Sequence, residues 1–316
     1  MPDALHLPLP LLTGFAGITV LLVVGSLAAL VLPRLQPGRW DDLAPRMTSW
    51  WVMAGLLMVA LWAGWQATTL LFAFVSFVAL REFVTLAPTR REDRLVVLVV
   101  YASVLISYWS IWIDNYAYFL VIVPIYMFVA TAVIMTLMGR TDGFLATIGT
   151  LQWGVIVCVF NLGHVAFLMR TPIEEVPMAG PAGLVFFLIV MTQLNDVAQY
   201  VWGKSLGRHP ISPQVSPNKT WEGAIGGWAT TALAFVLLAP VFTPLAFWPS
   251  VLVGAILPVL GFFGDITMSA IKRDLGVKDT SRLLPGHGGL LDRVDSLTFT
   301  APWYFHMLAI FGLERF

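Results

Sequence analysis

Residues 10–32 read Pro10-Leu-Leu-Thr-Gly-Phe-Ala-Gly-Ile-Thr-Val-Leu-Leu-Val-Val-Gly-Ser-Leu-Ala-Ala-Leu-Val-Leu32, without one charged side chain. About 20 apolar residues of helix cross the hydrocarbon core of a bilayer, so this run is long enough to span it. Working outward along the chain, comparable runs recur near 48–64, 67–80, 95–113, 117–138, 144–168, 181–202, 222–244, 249–270 and 297–313. The run 67–80 is short, and is expected either to pair with its predecessor as a hairpin around Trp65 or to be partly re-entrant. Ten spans are expected, with nine as the alternative.

The composition agrees. Of 316 residues, 58% are hydrophobic and 11% charged, where soluble domains carry about 25% charge. Such an excess cannot be covered by a polar surface, and it is too apolar for disorder. An all-α polytopic membrane protein is the expectation. With zero net charge, nothing suggests a nucleic-acid footprint. The single Cys158 excludes an internal disulfide and a cysteine-based zinc site. Met1 to Pro8 contains no Lys or Arg, so the first run reads as a permanent span rather than a cleaved signal.

Charge sets the orientation. With the N-terminus outside, the odd-numbered connections hold 16 of the 18 basic residues, leaving only Arg170 and Arg315 on the other side. The positive-inside rule therefore places both termini outside. Tryptophans such as Trp50, Trp51, Trp109, Trp112, Trp202 and Trp248 fall near span ends and read as interfacial anchors. Residues 1–180 form an N-terminal region whose spans carry few ionisable groups. Residues 181–316 hold Asp196, Glu222 and Asp265 at or inside span ends, and two cytoplasmic loops, 203–221 and 271–296. Charge inside hydrocarbon is costly and marks cavities or partners, so chemistry is sought in this second region.

The loop after Asp265 has four parts. Lys272, Arg273, Lys278 and Arg282 offer charge-assisted donors to a polyanion. Pro285-Gly286-His287-Gly288-Gly289 is a turn whose glycines let backbone N–H groups approach an anion. Asp292 and Asp295, three apart, share a helix face and can share a cation. Such carboxylates beside a basic, glycine-rich loop fit metal-assisted phosphoryl or nucleotidyl transfer, and oxygen-only ligands favour Mg²⁺ over zinc. Each part also has an ordinary explanation: topogenic charge, surface ion pairs around Arg293, an idle loop histidine. Asp265 in an apolar run is the hardest to explain away. Upstream, Ser216-Pro217 with Lys219-Thr220 reads as a turn into a helix start, and Glu222 as a cap or an acceptor in a polar cleft. Gly223, Gly226 and Gly227 read as sites of close helix packing.

The run Ser269 to Asp295 resembles the signature of the phosphatidate cytidylyltransferases, or CDP-diacylglycerol synthases. The stretch Asp196-Val-Ala-Gln199-Tyr200 with Ser216-Pro-Asn-Lys219-Thr220-Trp-Glu222-Gly223 is similar to a second block of that family. Gln199, where the family has a small residue, and Asn195 depart from the pattern. The resemblance implies CTP and phosphatidic acid as substrates, and Mg²⁺ with K⁺ as a second ion. A 316-residue chain lacking targeting extensions is expected as a multi-pass protein of a bacterial plasma membrane, and the resemblance suggests a homodimer. It implies Asp265, Asp292 and Asp295 as metal ligands, and Lys272, Arg273, Lys278 and Arg293 as phosphate holders. His287, Gly288 and Gly289 would border the nucleotide, and Asp196, Ser216, Lys219, Thr220 and Glu222 would line the same cavity. Three other readings stand beside it: an ion-coupled transporter, a CTP-dependent lipid-alcohol kinase of the polyprenol type, and a silent scaffold. The transporter predicts inverted repeats, which the sequence lacks. The kinase would release CDP instead of pyrophosphate. The scaffold is disfavoured by retention of every charged signature position.

Overall fold

A computed structural model of the chain describes residues 7–35, 43–87, 93–176, 178–284, 286 and 288–313. Among the described residues, nine segments are helical, long and apolar enough to cross a membrane. They are α1 (Leu9–Leu35), α2 (Leu43–Ala63), α3 (Trp65–Leu86), α4 (Arg94–Trp112), the pair α5 (Tyr116–Val121) and α6 (Met127–Leu137), the pair α7 (Phe144–Val155) and α8 (Leu162–Leu168), α9 (Gly180–Leu206), α10 (Trp221–Phe242) and α11 (Phe247–Asp274). A tenth helix, α12 (Leu291–Phe311), is of spanning length but carries Asp292, Arg293, Asp295 and His306. The chain is thus an all-α polytopic membrane protein. Each α5–α6 and α7–α8 pair is joined through a π-helical turn, Ile122–Tyr126 and Ile156–Asn161. Pro124, which cannot donate to the helical ladder, sits in the first.

The short third run is a full helix. Trp65–Leu86 has 22 residues and turns out of α2 at Gly64, whose φ of +99° suits glycine. The hairpin expectation therefore holds and the re-entrant one does not. Hydropathy cut the run at residue 80 because Arg81 and Glu82 follow, yet Glu82 is buried and the helix continues through it.

The two polar loops are shorter than expected. α9 persists to Leu206, and the chain then makes a small antiparallel hairpin of β1 (Pro210–Ser212) and β2 (Ser216–Thr220). Ser216-Pro217 is therefore strand, while Thr220 is the N-cap of α10, its hydroxyl accepting from Gly223 N–H at 3.2 Å. The other connection runs from Leu275 to Leu290, since Lys272 and Arg273 lie in the last turn of α11.

Glycines bring the C-terminal helices together. A Cβ on Gly226 would lie 2.4 Å from the Trp202 ring, one on Gly227 2.3 Å from Gln199 Cγ, and one on Gly223 2.9 Å from Gly203 Cα. α9 and α10 thus pack backbone to backbone, as the sequence suggested, and Gln199 fills the groove over Gly227. Gly264 of α11 does the same against α12, where a Cβ would meet Asp295 O at 2.8 Å. Asn195, fully buried on α9, donates to Pro258 O of α11 at 2.8 Å. Thr192 and Thr300 bond at 3.0 Å between α9 and α12. In hydrocarbon such contacts, rather than apolar burial, hold helices to one another.

Candidate functional site

This packing gathers three carboxylates from three helices. Asp196 (α9) and Asp295 (α12) both bond to Ser296, and Asp265 (α11) follows Gly264, where a Cβ would lie 2.8 Å from Asp295 O. Asp196 Oδ1 accepts from Ser296 Oγ at 3.2 Å, Asp295 Oδ1 from Ser296 N–H at 2.8 Å, and Asp265 Oδ1 from Ser269 Oγ at 3.3 Å. Lys219, carried in by β2, forms an ion pair with Asp265 Oδ2 and lies over the Phe262 ring. Lys272, buried and bonded to Asp292, lies on the Asp295 side, and Arg293 on the Asp196 side. Arg293 Nε is buried with no acceptor among the described residues. The arrangement is a group of acidic side chains, Asp295 buried and Asp196 and Asp265 half-buried, with basic residues around it. That is a place for cations and for anions that arrive with them.

Asp292 belongs to a second group. Its Oδ1 accepts from Lys272 Nζ at 2.7 Å. Its Oδ2 accepts from Gly289 N–H at 2.9 Å, Thr280 N–H at 2.9 Å and Thr280 Oγ1 at 3.0 Å. The glycine turn does present an N–H to an anion, and that anion is the protein's own Asp292. Gly286 and Gly288 have φ of +72° and +82°, conformations that favour glycine, and the turn closes through Leu284 N–H to Gly288 O at 2.8 Å. A Cβ on Gly289 would fall 2.0 Å from Thr280 Oγ1 and 2.5 Å from Glu82 Oε2.

Glu82 was not among the candidate site residues, although Arg81-Glu82-Phe83 resembles the family. It comes from α3, is 5% exposed, and takes hydrogen bonds from Thr280 Oγ1, Ser281 Oγ, Leu290 N–H and Leu291 N–H. The available signal was an acidic residue at the end of an apolar run, the same signal that singled out Asp265. Thr280, whose hydroxyl lies between Glu82 and Asp292, and Ser296, whose hydroxyl donates to Asp196 and whose N–H donates to Asp295, carried no such mark.

The remaining candidates spread around this centre. Glu222 accepts from Arg208 N–H at 3.0 Å and His209 N–H at 3.2 Å and contacts His209 Nδ1, so it holds the strap that leads into β1. Arg273 points to Val215 O (3.4 Å) and Val277 O (3.3 Å), pinning the hairpin turn to the end of α11. Ser216 is half-buried in β2, and Lys278 is exposed. His287 lies outside the described residues.

Among the described residues, no three His, Cys, Asp or Glu side chains close around a single metal position. Asp265, Asp292 and Asp295 are therefore not gathered as a preformed ligand set. The donor chemistry still suits Mg²⁺, which binds through one or two carboxylates with substrate phosphates and water instead of an all-protein cage.

The sequence profile described as the cytidylyltransferase family matches residues 44–311. The chain is 40% identical over 295 residues to the uncharacterized protein YnbB of Escherichia coli (strain K12), covering 93% of this chain and 96% of that one. It is 40% identical over 129 residues to a phosphatidate cytidylyltransferase of Mycobacterium leprae, covering 41% of each chain. It is also 40% identical over 128 residues to a phosphatidate cytidylyltransferase of Brucella suis, covering 40% of this chain and 47% of that enzyme. The matches to the two named enzymes thus span less than half of either.

Proposed function

This chain belongs to the cytidylyltransferase family and is a nucleotidyltransferase of the membrane, and from that premise we propose that it transfers the cytidylyl group of CTP to phosphatidic acid. A phosphate oxygen of the lipid attacks the α-phosphorus of CTP, and the bond from that phosphorus to the bridging oxygen of the β-phosphate breaks. CDP-diacylglycerol and pyrophosphate leave. The nucleophile is already anionic, so the protein needs no strong base; it must bring two anions together and offset the charge that develops.

The observation that carries this reading is the gathering of Asp196, Asp265 and Asp295 from three helices beside Lys219, Lys272 and Arg293. Lys219, Lys272 and Arg293 would hold phosphate oxygens, with Arg273 and Lys278 drawing the nucleotide in from the cytoplasmic side. Gly288, Gly289 and His287 would border it, with Ser216, Thr220 and Glu222 shaping the hairpin wall. Mg²⁺, with K⁺ as a second ion, would be held by Asp265 and Asp295, and would neutralise the triphosphate. Asp292 can join them only by releasing Lys272. The lipid enters sideways from the bilayer, and the bacterial relatives favour the plasma membrane.

The test is product analysis on purified protein with labelled CTP, Mg²⁺, phosphatidic acid and a panel of lipid alcohols. Pyrophosphate and a CDP-lipid are expected, from phosphatidic acid alone. Release of CDP with a phosphorylated alcohol would replace this reading by the kinase one.

A further inference from the structure

Glu82 stands on α3, far from the other candidates in sequence, and its carboxylate is filled by the segment that leads into α12. Oε1 accepts from Ser281 Oγ at 2.6 Å and Leu290 N–H at 2.9 Å; Oε2 accepts from Thr280 Oγ1 at 3.0 Å and Leu291 N–H at 2.8 Å. The two amides open α12, where backbone N–H groups lack partners within the helix. Glu82 is thus a helix cap delivered from another helix, and its charge faces the positive end of the α12 dipole. Asp292 and Asp295 lie on the first turns of that helix.

The Thr280 hydroxyl connects the two carboxylate groups. It lies 3.0 Å from Glu82 Oε2 and 3.0 Å from Asp292 Oδ2, and it has a single proton to give. Any change in what Asp292 binds therefore alters how strongly Thr280 donates to Glu82.

We infer that Glu82 is a positioning residue for the transfer proposed above: it sets the start of α12, and so the aim of Asp292 and Asp295, and takes the Thr280 proton when Asp292 gives it up. This rests on that reading of the reaction. A neutral side chain cannot substitute. Ser281 and the two amides donate to it while Thr280 shares one proton with Asp292, and glutamine would turn its NH₂ toward either Leu290 N–H or Leu291 N–H. The two hydroxyls could reverse their roles; a backbone N–H cannot. The site is made for a carboxylate.

The experiment uses full-length protein in detergent with Glu82→Gln, Glu82→Asp and Ser281→Ala. In Glu82→Gln, kcat should fall about 100-fold while KM for CTP stays within about threefold, because binding groups survive and only their alignment is lost. Glu82→Asp keeps the charge but withdraws it by one methylene, and should fall between. Ser281→Ala, which removes one donor and leaves both amide caps, should lose about threefold in kcat. Hydrogen exchange should accelerate at Leu290 and Leu291 in Glu82→Gln, with α9, α10 and α11 protected as in the parent. Parental kcat in Glu82→Gln, or lost protection spread through α9 to α11, would overturn the inference. If Glu82→Gln does not fold, Glu82→Asp and Ser281→Ala decide it, and parental kcat in both overturns it. If the unmodified protein makes no pyrophosphate, the reaction reading fails separately, and exchange at Leu290 and Leu291 still reports whether Glu82 places α12.

Discussion

The start of α12 and its far end both hold polar groups away from water, under opposite rules. At the far end the Tyr116 hydroxyl lies 2.8 Å from His306 Nε2 and 3.3 Å from His164 Nε2. Nδ1 of each imidazole faces a carbonyl one turn back, Pro302 O at 2.6 Å and Phe160 O at 2.9 Å. Those carbonyls assign the ring protons to Nδ1 and leave both Nε2 atoms as acceptors. One hydroxyl proton serves one acceptor, and the shorter contact identifies His306 as the recipient. Phe119, Phe160, Phe167 and Phe305 pack around this cluster, which carries no formal charge. At the start of the helix, by contrast, Asp196 and Asp295 share Ser296, and Asp265 is paired with Lys219. Neutral hydrogen bonds in hydrocarbon join helices. Partly offset charge works against stability and is kept where chemistry needs it.

The sharpest way to break this contrast is Asp295→Asn. Turnover should fall by about 1000-fold or more, because Asp295 would help hold the metal that offsets charge at the reacting phosphates. Thermal stability in the same protein should hold or rise, since one of three like charges is gone. A melt that falls by more than about 2 kcal/mol would mean that Asp295 is structural. Next in size is Gly289→Ala. Its Cβ would collide with Thr280 Oγ1 and Glu82 Oε2, and overpacking of this kind costs about 1–3 kcal/mol. A kcat loss of about 30-fold is expected with CTP still bound, measured by turnover against nucleotide titration. Smallest is Tyr116→Phe at the far end. It should cost about 1 kcal/mol of stability by removing one neutral hydrogen bond. Pyrophosphate release should stay within about twofold of the parent; a larger loss would tie the two ends of α12 together.

Much of the architecture was legible because hydrophobic partition is written locally. Runs such as 10–32 and 249–270 declare themselves without reference to the rest of the chain. The close-packing glycines Gly223, Gly226 and Gly227 were legible for a similar reason, lying on one helix at helical spacing. Asp265 was visible as an acid in an apolar run. Glu82 offered the same sign and was passed over because it closes its run instead of interrupting it. Asn195 looked like a departure from a familiar pattern, whereas its amide holds α9 to α11 at Pro258.

Local order along the chain thus accounts for the membrane spans, the polar connections between them and the acidic residues they carry, since each depends on neighbours within a few turns. Pairing does not. That Asp295 meets Asp196 and Asp265, that Asp292 is taken by Lys272 and Gly289, and that α12 is capped by Glu82 of α3 follow from helices converging across as many as 209 residues. Hydrogen bonds are short and directional, and only the packed arrangement of the helices brings those groups within reach.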